Sequence, residues 1–144
     1  MWIATWALNT MVAKGKTTDW MVHMLGQAVA AYTDATHGHT LSAVSGAYYR
    51  LLIGRSEEAV KKFRQLATAV WDIVPTGKTD KEIALEGLAR MEAWMRELGL
   101  AMDITACGAD ASQLEGMADA CPINESGYVV LTREDVIEVL RQSL

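Results

Sequence analysis

Cysteine, proline and histidine are scarce in this chain, with two, two and three residues respectively among 144. Cys107 and Cys121 stand apart rather than in a CxxC pair, so a thiolate zinc cluster cannot be assembled from them. One disulfide is arithmetically open, but a helical core of this size needs no staple, and a reducing, cytoplasmic setting is expected. Positive charge is in the minority, 13 Lys and Arg against 18 Asp and Glu, a net charge of −5. No segment supplies the basic stripe that displaces phosphate counterions, which argues against a nucleic-acid binder. Lys61, Lys62 and Arg64 read instead as part of a solvated helix face. Long apolar runs are missing too. The opening, Met1 to Val12, falls short of the roughly 20 residues needed to cross a bilayer. It also lacks a basic n-region and a small-residue cleavage site. It begins directly in helix-like sequence with no cap, which suggests that something upstream has been lost.

What remains is a soluble balance, 51% apolar and 22% charged, with enough length to bury a core. Helical periodicity dominates it. Met1–Lys14 reads as a helix ending at Gly15-Lys16-Thr17-Thr18. Asp19 can cap a second helix, Trp20 to Ala35, whose Gly26, Ala28, Ala30 and Ala31 permit close helix packing. Thr36-His37-Gly38 interrupts, and a third helix follows from about Thr40 to Ile53. Ser56-Glu57-Glu58 opens a fourth to about Ile73, stopped by Pro75-Thr76-Gly77. Thr79-Asp80-Lys81-Glu82 starts a fifth that ends near Leu98-Gly99. Asp110 to Ala120 predicts a short helix, ended by Cys121-Pro122. Thr132 with Asp135 has capping-box character and starts the last helix, through Gln142. Tyr128–Leu131 is the one strand-like run, too short to make a sheet by itself. The expected fold is an all-α multi-helix bundle, residues 1–144 forming a single domain.

Two GKT triplets, Gly15-Lys16-Thr17 and Gly77-Lys78-Thr79, invite a phosphate-loop reading. A Walker loop requires another glycine five residues earlier and a strand before it. Those positions hold Thr10 and Asp72, and both triplets follow helical sequence, so they read as interhelical turns. There is no GxSxG elbow, and Glu57-Glu58 has the surroundings of a solvated helix start.

The histidines, His23, His37 and His39, all lie within one short stretch where small residues are densest. Spacing alone favours a capped or core histidine over a metal ligand. On one straight helix His23 and His37 would sit about 40° apart in azimuth and ~21 Å apart along the axis. No ion bridges that distance. To share one, the helix must end between them and the chain turn back, and Thr33-Asp34-Ala35-Thr36 before Gly38 permits such a turn.

The stretch from Trp20 through His23, Gln27 and Tyr32 to His37-Gly38-His39-Thr40 resembles the C-terminal signature of iron-containing alcohol dehydrogenases. The branch it looks most like contains the butanol dehydrogenases and NADPH-dependent aldehyde reductases. Met1-Trp2, Ala7-Leu8-Asn9 and Gly15-Lys16 through Asp19-Trp20 resemble the segment before that signature, and Leu131 to Val136 resembles the family's last helix. The resemblance covers nearly the whole chain.

It implies an N-terminal dinucleotide-binding α/β domain, a helical C-terminal domain and an active site in the cleft between them. It implies a divalent metal, Fe2+ or Zn2+, held by one aspartate and three histidines, two of which map onto His23 and His37. The metal polarises the substrate oxygen of a small alcohol or aldehyde while hydride passes to or from NAD(P)H. Imidazole ligands suit either metal. Departures accompany the match. Gln27 stands where the family often has a second, non-ligand histidine, so it is expected to line the pocket without relaying protons. Gly46 stands where a proline is common. His39 is read as pocket-lining or surface, and nothing in the resemblance makes Asp19 or Asp34 a ligand. The aspartate, the remaining histidine and the glycine-rich loop that binds most of the cofactor belong to the N-terminal domain, the expected partner. The chain by itself is therefore expected to be inactive, with half a metal site that waits for its other ligands. The rival expectation is a non-catalytic helical domain that self-associates as a homo-oligomer or binds a partner.

Overall fold

A computed structural model describes residues 2–9 and 11–144. They form seven α-helices and no strand: α1 (Trp2–Leu8), α2 (Met21–Thr33), α3 (His37–Arg55), α4 (Glu57–Val70), α5 (Asp80–Glu97), α6 (Leu114–Ala120) and α7 (Arg133–Gln142). The all-α expectation holds. Helix α3 is the central rod. Its residues Ser42 to Tyr48 are buried without interruption, as befits a helix covered on most sides. On one side α2, α6 and α7 close a core around Leu25, Val44, Ile104, Met117 and Leu140. On the other, α4 and α5 pack together and against α3 through Ile53, Val60, Ala84 and Leu88. Leu25 is fully buried, and its truncation to alanine should cost roughly 2–5 kcal/mol.

Local chemistry explains most helix starts. Ser56 accepts from the Ala59 amide at the head of α4. Thr79 with Glu82, and Thr132 with Asp135, form reciprocal capping boxes at the heads of α5 and α7. The buried hydroxyls of α3 are satisfied within the fold: Thr40 donates to the His37 carbonyl, Ser45 to that of Ser42, and Ser42 to Ala101.

The structure corrects several sequence-based boundaries. The N-terminal helix ends at Leu8, and a 3-10 turn at Met11–Ala13 follows; Met1 and Thr10 lie outside the described residues. Helix α4 ends at Val70 rather than near Ile73. Helix α3 begins at His37 rather than about Thr40. The physical reason is Asp34, which adopts a left-handed conformation (φ 53°) and returns its amide to the Ala30 carbonyl, closing α2. Thr36 is then extended, and its carbonyl accepts from His39 and Thr40 to open the next helix. Gly38 takes no left-handed conformation, so the turn does not depend on it. Tyr128–Leu131 is loop, since no described strand pairs with it. Both GKT triplets are turns, with Gly15 and Gly77 at φ 74°. Cys107 and Cys121 are free and buried.

Candidate functional site

The first turns of α2 and α3 carry His23 and His37, and the fold brings them together. Asp19 fixes the first of these turns. Its Oδ1 accepts the Met21 amide at 2.9 Å, and its Oδ2 accepts the Tyr48 hydroxyl at 2.8 Å, tying the head of α2 to the middle of α3. Burial, then the hydrogen bond to Asp19, holds the Tyr48 phenol well above its ordinary range and keeps it a donor. The capping role expected of Asp19 is thus fulfilled through Met21, although Trp20 occupies the cap position itself.

Gly26 fixes the second turn. A β-carbon there would come within 2.7 Å of the Leu41 side chain and 3.3 Å of the Leu41 amide nitrogen and Thr40 hydroxyl. The head of α3 therefore lies directly on the middle of α2, and the chain doubles back far enough for the two imidazoles to meet.

His37 Nε2 stands 3.2 Å from His23 Nδ1, with ring centroids 4.8 Å apart and planes nearly perpendicular at 86°. Gln27, one turn beyond His23, brings its amide nitrogen within 3.0 Å of His23 Nε2. The roles follow the tautomer: a proton on His23 Nδ1 is donated to His37 while the Gln27 amide donates to Nε2, and a proton on Nε2 is donated to the Gln27 carboxamide oxygen, leaving Nδ1 with its lone pair. Trp20 sets its ring edge-on to His23 at 5.6 Å. His37 and Gln27 are exposed and His23 is half-buried, so the pair opens outward.

His39 does not join them. Its Nδ1 accepts the Ala101 amide at 2.9 Å, tying α3 to the loop before Ile104. Among the described residues no group of three or more His, Cys, Asp or Glu side chains forms a metal site. The donor chemistry of the pair nevertheless fits one edge of a tetrahedral ion. Two nitrogens at the usual zinc–imidazole distance stand about 3.3 Å apart. A separate apolar cavity of about 490 Å³, lined among others by Val22, Tyr49, Phe63 and Met91, includes neither histidine. The histidine pair is the better candidate, because it brings two metal-ligating nitrogens within 3.2 Å of each other. Neither the edge-on packing of Trp20 on His23 nor the Gly26–Leu41 contact was legible in the sequence. The density of small residues in α2 was the available signal for the contact, and nothing signalled the tryptophan.

The family model described as Fe-containing alcohol dehydrogenase family, C-terminal, matches residues 1–144. The chain belongs to that family. Among Fe-containing alcohol dehydrogenase relatives, a probable NADH-dependent butanol dehydrogenase 1 of Bacillus subtilis (strain 168) is 32% identical over 146 residues, covering 100% of this chain. The NADPH-dependent aldehyde reductase YqhD of Escherichia coli (strain K12) is 30% identical over 117 residues, covering 81% of this chain and 29% of its own length. The crystal structure of E. coli K-12 YqhD superposes with a TM-score of 0.85 at 25% identity, covering 100% of this chain and 37% of that one. The chain spans 37% of the length of the Bacillus relative. No described helix is long and apolar enough to cross a membrane.

Proposed function

We propose that this chain is the metal-binding, helical part of an NAD(P)-dependent alcohol dehydrogenase or aldehyde reductase acting on small alcohols or aldehydes. The observation that carries this is the convergence of His23 Nδ1 and His37 Nε2 at 3.2 Å inside a family-matched chain. His23 and His37 would hold Fe2+ or Zn2+. When bound, that ion supplies polarisation of the substrate oxygen and so lowers the cost of alkoxide formation. NAD(P)H, the source or acceptor of hydride, is bound mainly by an N-terminal dinucleotide-binding domain, in keeping with the NADH- and NADPH-dependent relatives.

The chain's own residues position and shield. Gln27 secures His23 Nε2, and its carboxamide offers both a donor and an acceptor, so it holds either tautomer of the ring. Gln27 does not carry a proton at neutral pH, which assigns it positioning rather than acid–base work. Trp20 stands T-shaped against His23, ring centroids 5.6 Å apart, and would limit rotation of that ring. Residues 1–144 act as one helical domain, and alone they do not reduce aldehydes, because the cofactor site and the other metal ligands lie outside them.

Fusing residues 1–144 to the upstream part of the Bacillus butanol dehydrogenase tests this. The fusion should reduce butyraldehyde with NADH, and His23→Ala or His37→Ala should abolish the rate. Full activity in the double variant, or reduction by the unfused chain free of full-length enzyme, would contradict the proposal. A second, non-catalytic reading is favoured by α1, which buries no residue and leaves Trp2 and Ile3 each 77% exposed. Such a surface tends to find a contact. Light scattering that returns a clean monomer at high concentration would count against that reading.

A further inference from the structure

We propose that the loop between α6 and α7, residues 121–132, is a positioning clamp for the metal site, with Ser126 and Gly127 acting on His23 through residues 18–21. The inference rests on the reading of His23 as a metal ligand. It starts from two long-range contacts. Ser126 Oγ lies 2.9 Å from the Thr18 carbonyl, 108 residues away, and the Asn124 amide donates to the Met21 sulfur at 3.2 Å, 103 residues away. Asn124 Oδ1 is also 2.9 Å from the Ser126 hydroxyl, but it already accepts the Ser126 amide at 3.0 Å, which leaves the hydroxyl proton to Thr18. Gly127 adds a third contact. It sits at φ 118°, and a β-carbon there would come within 2.7 Å of Asp19 Oδ2 and 2.9 Å of Asp19 Cγ. Loop backbone therefore lies directly against the carboxylate that holds the head of α2.

Two routes lead from this loop to the His23 ring. In the first, Thr18 links both ends. Its carbonyl accepts from Ser126, and its Oγ1 accepts the Trp20 indole N–H at 3.1 Å, which sets the indole edge-on to His23. In the second, Asp19 stands between Gly127 and Tyr48 and holds the Met21 amide, the first of α2, two residues before His23. Trp20, at the N-cap position of α2, offers no side-chain cap, so the amides of that first turn depend on outside partners. Gln27 supports the ring from one turn further along α2, and the loop supports it from the N-terminal side. A ligand imidazole binds well only when neighbours orient it, and loss of such support typically costs about 10–100-fold in metal affinity. Ser126 and Gly127 are therefore positioning residues, acting through Thr18, Trp20 and Asp19.

The test compares Ser126→Ala with Ser126→Thr, which keeps the hydroxyl, and with Thr79→Ala, which removes the cap of α5 and serves as a control for stability alone. In the metal-free 144-residue chain, the nuclear Overhauser contacts between the Trp20 and His23 rings should fade in Ser126→Ala and return in Ser126→Thr. In the fusion with the upstream part of the Bacillus enzyme, Ser126→Ala should raise the Co2+ dissociation constant by about 10-fold. It should also lower kcat at saturating metal while KM for NADH stays the same. Gly127→Ala, which forces the loop off Asp19, should act in the same direction. Thr79→Ala should lose thermal stability and move none of these readouts. Parental ring contacts and Co2+ affinity in Ser126→Ala, whatever its stability, overturn the clamp, as does an equal change in Thr79→Ala. Co2+ affinity untouched by His23→Ala overturns the ligand reading itself, and the clamp's role with it.

Discussion

Gly26 and Leu41 approach so closely that a β-carbon on Gly26 would lie 2.7 Å from Leu41 Cδ2, and this contact holds the head of α3 against α2 beside His23. Substitution there sets two effects against each other. Alanine in a helix gains about 1 kcal/mol over glycine, whereas overpacking costs about 1–3 kcal/mol. Because the nearest atom is the end of a flexible side chain, Gly26→Ala should lose no more than about 2 kcal/mol in urea denaturation. Metal affinity should fall as His37 is displaced. Gly87→Ala makes a useful contrast. Its β-carbon would meet Ala67 Cβ at 2.5 Å and Cα at 2.9 Å, and backbone cannot turn aside. It should cost more, about 2–3 kcal/mol, yet leave metal affinity of the folded protein unchanged.

Gln27 and His39 should separate positioning from scaffolding. Gln27→Leu removes the partner of His23 Nε2 and should weaken Co2+ binding by about 10-fold. Gln27→Glu, which keeps an acceptor at the same reach, should restore it. His39→Ala should leave the binding curve unmoved but lower stability by about 1 kcal/mol, through loss of the bond from the Ala101 amide. Isothermal titration with thermal denaturation of the three variants separates the two roles.

The Arg55–Asp135 pair predicts an acid-sensitive link between α3 and α7. Its closest approach is 2.6 Å, with Asp135 13% and Arg55 48% exposed. The Arg55 hydrogen bond first, then the Thr132 amide and hydroxyl, hold the Asp135 carboxyl at about 2. A depressed carboxyl contributes stability that is complete above the unfolded value, about 3.9, and is lost as pH falls through the folded value. The half-exposed guanidinium limits this contribution to about 1 kcal/mol. Urea midpoints of Asp135→Asn and the parent should differ at pH 7 and converge between pH 4 and 2. A constant difference over that range would contradict the assignment.

Much of this was legible in the sequence. The capping pairs Thr79–Glu82 and Thr132–Asp135 fixed two helix starts because side chain and backbone satisfy one another locally. The small residues of α2 announced close packing, and the sequence between His23 and His37 permitted, without requiring, the turn that lets them meet. Which residue would make the turn was less legible. Gly38 has the freer backbone, but Asp34 took the left-handed position, since closing α2 on Ala30 decided the geometry first. The role of His39 was hidden for a different reason. Its partner, Ala101, lies 62 residues away, and no local pattern announces a backbone contact at that range.

Helix α1 should be dispensable for folding. It buries no residue, and its main packing is against the adjoining 3-10 turn. A chain lacking residues 1–14 should keep its helical circular dichroism and its urea midpoint within about 0.5 kcal/mol. A cooperative loss of structure would show that α1 holds part of the core.

The claim that His23 and His37 act together as metal ligands is tested most directly by nitrogen-15 NMR of the imidazole rings during a Zn2+ titration. The account predicts that the His23 and His37 nitrogens shift together, saturating at the same zinc level, while those of His39 stay in place. Movement of only one of the pair, or of neither, would contradict it.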